Sequence, residues 1–235
     1  MLRSRSHRQG LPSRRAAKKT AFKERDLHPL LVSFVNADPH FKCVAKTIYH
    51  EKSKKGRKGE TEWLHPDVVG LYFPAQSFCA NTIKLMNELD DCQYKLFSFE
   101  LKVSVNFSTL REYYFQAVSN SSWAHEGYLV ALEYADGIEL QEEMLRLNNA
   151  FGIGFIKLNA ENVEQSEILY PARGKETVDW DTIDRLADVN RDFNNFLESV
   201  ITDIKGGGKP HPGEYDAVLS ETDMKKYIRD HQIKS

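Results

Sequence analysis

The segment that most restricts the fold is 97–105, where Phe97, Phe99, Leu101, Val103 and Val105 alternate with Ser98, Glu100, Lys102 and Ser104. Period-two alternation sends apolar side chains to one face of an extended chain and polar ones to the other, which predicts a half-buried strand. A strand needs partners, and the flanking sequence offers several. Segments 41–53 and 63–73 are β-prone and bracket a basic, Gly-containing loop at 54–60, which reads as a hairpin. Segment 127–134 predicts a short buried strand, and the Gly-flanked 152–158 another. Elsewhere the apolar spacing becomes helical: Leu27, Leu30, Leu31, Phe34 and Val35 follow Asp26, an N-cap residue type, with Pro29 tolerated in the first turn. Helices are also predicted over 76–90, 108–123, 138–150 and 181–204, and a short amphipathic one opens at Ser220. Strands interleaved with helices in this way imply an α/β chain with a central mixed β-sheet flanked by helices.

With 235 residues, 41% of them hydrophobic, the chain can build one domain with a substantial core. Three parts are expected: a basic, disordered arm at 1–21, an α/β domain at 22–205, and a Gly/Pro linker with a short helix at 206–235. No apolar run approaches the roughly 18 residues of a membrane span, so no membrane association is expected. Cys43, Cys79 and Cys92 form no C-x-x-C pair, which disfavours a disulfide framework and a zinc ribbon and suits a soluble protein of a reducing cytoplasm.

Charge is distributed unevenly. Residues 1–25 carry nine Lys/Arg against one acid, a net +8 that leaves −10 for the rest of a chain of net charge −2. A second basic run, Lys52, Lys54, Lys55, Arg57 and Lys58, begins just before the predicted hairpin loop and continues through it. Two positive clusters on an acidic body suggest contact with nucleic-acid phosphates, although charge alone fits a solvated tail equally well.

Glu100 and Lys102 share the polar face of the 97–105 strand, two residues apart and so about 6–7 Å along it. Glu-x-Lys by itself is common on solvated strands, and such pairs are usually surface ion pairs. Context gives it weight: in Leu64-His65-Pro66-Asp67-Val68-Val69 a proline and an acid interrupt β-formers, and local rules broken by adjacent residues often mark sites. Pairing of the two strands would bring Asp67 beside Glu100. Two hard carboxylates suit Mg²⁺ or Mn²⁺ rather than zinc. Lys102 would then orient an attacking water or balance charge building on a phosphate. Glu24, just before the first helix, has two roles open: a third carboxylate, or a solvated residue offsetting the helix N-terminal charge.

Pro66-Asp67 followed by Glu100-Leu101-Lys102 resembles the PD-(D/E)XK nuclease superfamily, whose restriction-endonuclease-like fold places these residues around a divalent metal. The resemblance spans roughly residues 24–158. It implies metal ligation by Asp67, Glu100 and Glu24, with catalytic assistance from Lys102 and from Gln116 on the helix after the Glu-x-Lys strand. The 33 residues from Asp67 to Glu100 imply an inserted element, the predicted helix at 76–90. Segment 151–156 is similar to the late strand of Mrr-like nucleases, and the whole is similar to uncharacterised bacterial restriction-associated proteins. Those often carry a winged helix-turn-helix, which residues 1–21 cannot accommodate, so a separate or missing DNA-specificity part is implied.

The resemblance therefore leads to a Mg²⁺- or Mn²⁺-dependent DNA endonuclease acting in restriction or defence. Double-strand cutting by a single site would require a homodimer. The alternative from another class is a non-catalytic DNA-binding or assembly module that keeps the fold. Other chemistries fit less well. His65-Pro66-Asp67 is flanked by Val68 and Val69 rather than by helices, unlike the J-domain motif, and the zinc-deaminase signature is absent. Gly152 and Gly154 lack the third glycine of a dinucleotide loop and read as close backbone packing.

Overall fold

A computed structural model describes residues 22–49, 53, 65–89 and 94–234. The arm at 1–21 and the cations Lys52, Lys54, Lys55, Arg57 and Lys58 lie outside the described residues. Among the described residues six strands form one sheet in sequence order: β1 Cys43–Thr47, β2 Val68–Tyr72, β3 Lys95–Val105, β4 Glu126–Tyr134, β5 Gly154–Lys157 and β6 Glu167–Tyr170. The β1–β2, β2–β3 and β5–β6 pairs are antiparallel, whereas β3–β4 and β4–β5 are parallel. Parallel neighbours need crossover connections, which α3 Leu110–Asn120 and α4 Ile138–Phe151 supply. The chain is thus the mixed α/β sheet its sequence implies, and the predicted pairing of 41–53 with 63–73 is the β1–β2 pair, the loop at 54–60 lying outside the described residues.

Helices cover both faces. On one, α1 His28–Ala37 and α7 Glu221–Asp230 bury Leu30, Leu31, Phe34 and Met224 against Phe97, Phe99, Leu101 and Val130. On the other, α5 Trp180–Val189 and α6 Arg191–Lys205 cover Val69 and Leu71, while α3 and α4 cover Leu129, Ala131 and Phe155. This double cover changes the reading of β3. Its polar face does not meet water: Ser98, Glu100 and Lys102 are only 2%, 6% and 8% exposed, and only Ser104 of that set is open to solvent. Among the described residues no helix is long and apolar enough to cross a membrane.

Three local departures have physical causes. The predicted helix at 181–204 is two, because Asn190 adopts an extended backbone and caps α6, accepting from the Phe193 N–H while its amide donates to the Tyr49 carbonyl. The insertion helix α2, Ala80–Glu88, has no buried residue. β6 is a four-residue strand too short and too mixed to show a period. The glycine pair behaves as packing: Gly152 ends α4 in the left-handed conformation, and a Cβ on Gly154 would sit 2.3 Å from the buried Tyr128 ring.

Candidate active site

β3 outruns β2. The ladder between them ends at the Val68–Phe99 pair, and one further bond runs from the Asp67 N–H to the Phe99 carbonyl at 3.1 Å. Beyond that point the chain turns away through Pro66, and the Asp67 carboxylate accepts the Leu101 N–H at 2.8 Å. A side chain thereby takes over from the backbone carbonyl that a longer strand would have offered. The pairing expected of the two strands is present, and it fixes a carboxylate, 8% exposed, at the margin of β3 beside Glu100.

Glu100 is held from two directions. Its Oε1 accepts from Lys102 Nζ at 2.8 Å and its Oε2 from Asn120 Nδ2 at 2.7 Å. Lys102 Nζ also donates to Glu24 Oε1 at 3.4 Å, so the 3-10 turn Glu24–Leu27 ahead of α1 reaches the cluster. The Lys102 ammonium lies 5.3 Å from the Tyr113 ring centroid, within cation–π range. Helix α3 therefore runs beside β3 with Tyr113 at Lys102 and Asn120 at Glu100. Gln116, half-buried, falls between them on the same helical stripe.

Asn120 is the site residue that sequence reading missed. Its carbonyl accepts from Ser98 Oγ at 3.0 Å and from Trp123 Nε1 at 2.8 Å, which pins the end of α3 and aims its amide at Glu100. The available signal was its spacing, seven residues after Tyr113 and four after Gln116, which places all three on one face.

Three carboxylates thus surround one ammonium. Burial, and then the charge of Asp67, push the Glu100 pKa up to about 7, against the opposing pull of Lys102 and Asn120. Burial works against the Lys102 charge, but the carboxylates of Glu100, Glu24 and Asp67 outweigh it and hold the ammonium above its usual range. Both shifts report one condition, a partly dry cluster with excess negative charge. Such a cluster favours either protons or an added cation.

Among the described residues no group of three or more His, Cys, Asp or Glu is arranged to hold a metal. Glu24 turns to Lys102 instead of joining Asp67 and Glu100. The donor chemistry nevertheless fits Mg²⁺ or Mn²⁺, which take hard oxygen ligands. Mg²⁺ commonly binds through one or two carboxylates, leaving its other positions to water and substrate phosphate. The chain matches no protein-family model, no curated protein and no solved structure significantly.

Proposed function

We propose that the protein is a divalent-metal-dependent nuclease that hydrolyses phosphodiester bonds of DNA, in restriction or another defence against foreign DNA. The observation that carries this reading is the convergence of Asp67 and Glu100 from neighbouring strands, with Lys102 bonded to Glu100 in the same buried cluster. Asp67 and Glu100 would hold Mg²⁺ or Mn²⁺, whose chemistry at such a site is to polarise the phosphate and favour the ionised form of water. The chain's own residues do the rest. Lys102 presents an ammonium that orients the attacking water and offsets charge growing on the phosphate oxygens. Glu24 keeps that ammonium charged and in place, and Gln116, on the same helix as Tyr113 and Asn120, would help position the water. Outside the described residues, Lys52, Lys54, Lys55, Arg57, Lys58 and the basic arm would grip backbone phosphates, contacts that set affinity without reading sequence. Sequence choice then belongs to a separate DNA-reading part, and double-strand cleavage to a homodimer.

One observation favours a second reading, a non-catalytic DNA-binding or assembly module: both Glu100 oxygens already have protein partners, as in a purely structural ion network. Supercoiled plasmid, methylated and unmethylated, separates the two when incubated with about 5 mM Mg²⁺ or Mn²⁺, a level chosen for weak hard-ion sites, and with EDTA as control. Wild type is expected to nick or linearise it only with metal, and Lys102→Ala to lower the rate by about 100-fold or more. Binding that is indifferent to EDTA and to Lys102→Ala, with no cutting, would favour the second reading.

A further inference from the structure

We propose that a cavity flanking the carboxylate cluster, walled by Arg25 and Tyr49, is a nucleotide subsite that takes one unstacked nucleotide of the substrate strand. The inference rests on the nuclease reading and adds to it a substrate class: single-stranded or locally frayed DNA. The cavity has a volume of about 430 Å³ and lies between the start of α1, the end of β1 and the C-terminal segment. That is within the range of small-ligand sites. Two chain connections link its rim to the cluster. Arg25 follows Glu24, which bonds Lys102, and Tyr49 follows Ile48, whose N–H donates to the Asp67 carbonyl at 2.9 Å.

The lining divides by chemistry. At the rim the Arg25 guanidinium is exposed and lies 5.3 Å from the centroid of the Tyr49 ring, itself 36% exposed. A cation next to an aromatic face matches a nucleotide, with phosphate on the guanidinium and base against the ring. The rest of the wall is mostly apolar, from Pro29, Val32, Ala217 and Leu219, and encloses one polar group. His28 Nδ1 lies 3.2 Å from Thr47 Oγ1, and Asp216 Oδ2 accepts from both the Thr47 N–H and its hydroxyl, at 2.8 and 2.6 Å. Carboxylate oxygens repel a phosphate but accept from the amino edge of a base. The orientation follows: base inward, phosphate at the Arg25 rim. A base can enter only after leaving its stack, which single strands and frayed ends permit at little cost.

The test uses the full chain and a fluorescently labelled single-stranded oligonucleotide, with affinity read by anisotropy in EDTA and kcat and KM read by cleavage in Mg²⁺. Arg25→Ala and Tyr49→Ala are each expected to raise Kd and KM about tenfold with kcat little changed, and Tyr49→Phe to stay near wild type because the ring is kept. Arg25→Ala should also reduce the salt dependence of binding by about one counterion. In wild type, an iodouracil-containing oligonucleotide should photocrosslink to Tyr49, a readout independent of any variant's folding. Wild-type cleavage with all variants unchanged and no crosslink at Tyr49 would overturn the subsite alone. A wild-type chain that cuts plasmid but neither binds nor cuts the oligonucleotide would likewise overturn the subsite alone, whereas one that cuts neither with metal would overturn the nuclease reading with it.

Discussion

Asp67 carries two loads that a single substitution can separate. As an acceptor it satisfies the Leu101 N–H where the β2 ladder stops, and as a charge it repels Glu100. Asp67→Asn keeps an oxygen for the N–H and removes the charge, so the account expects a melting temperature equal to or above wild type together with plasmid cleavage lowered by about 100-fold or more. Thermal denaturation and a cleavage assay on one preparation check both halves. A residue that only supported the fold would show the reverse, lost stability with no separate loss of activity. The Asp67, Glu100 and Lys102 cluster was legible in the sequence because Pro66-Asp67 breaks a run of β-formers, while Glu100 and Lys102 occupy polar positions of a regular alternation. Asn120 breaks nothing. Its spacing from Tyr113 and Gln116 marks a shared helix face but no role, and its importance arises only when α3 is laid beside β3.

At the scale of elements, β3 shows what alternation can and cannot tell. Periodicity located the strand and sorted its faces, but the polar face is roofed by α3, so its side chains answer to one another rather than to water. Whether a polar face is covered depends on contacts distant in sequence, and period-two patterning is silent on that. The break at Asn190 was missed for a related reason: apolar spacing on α5 and α6 runs on across a residue whose capping geometry depends on the distant Tyr49 backbone. The end of α6 yields a pH prediction. Burial alone would raise the Asp203 pKa, but hydrogen bonds from the His211 ring and backbone and from Tyr215 outweigh it and hold the carboxyl below its usual range. A depressed folded pKa adds stability above the unfolded Asp value of about 3.9, and that stability is lost as the pH falls through the lower folded value. Wild type should therefore melt above Asp203→Asn at neutral pH, and the gap should close below about pH 4. Melting curves across pH measure it, and a gap that widens in acid would contradict the assignment.

The whole molecule depends on its last residues more than a Gly/Pro-rich composition suggests. Beyond α6 the chain returns along the outer edge of β1, where the Asp216 N–H donates to the Ala45 carbonyl at 2.9 Å and Lys46 Nζ donates to the Glu214 carbonyl at 2.7 Å. It then lays Met224 and Ile233 into the α1-side core. An edge strand is thereby covered and an apolar face closed. Removing 206–235 should lower stability by several kcal/mol, from about 1.5–3 kcal/mol for each large apolar side chain re-exposed, and should make the chain prone to self-association. Denaturant unfolding and light scattering of the truncated chain check this, and a truncated chain as stable and monomeric as the full one would contradict it. Composition marks this stretch as a connection but does not reveal that it is packed, because its anchors are isolated residues whose partners lie well over a hundred positions away. Asp67 and Glu100 together are expected to take a divalent cation, which Mn²⁺ titration followed by electron paramagnetic resonance measures. Wild type should show one saturable site that Mg²⁺ displaces and that Asp67→Asn or Glu100→Gln abolishes. No saturable binding, or binding unaltered in both variants, would leave the cluster a buried ion network and contradict the account.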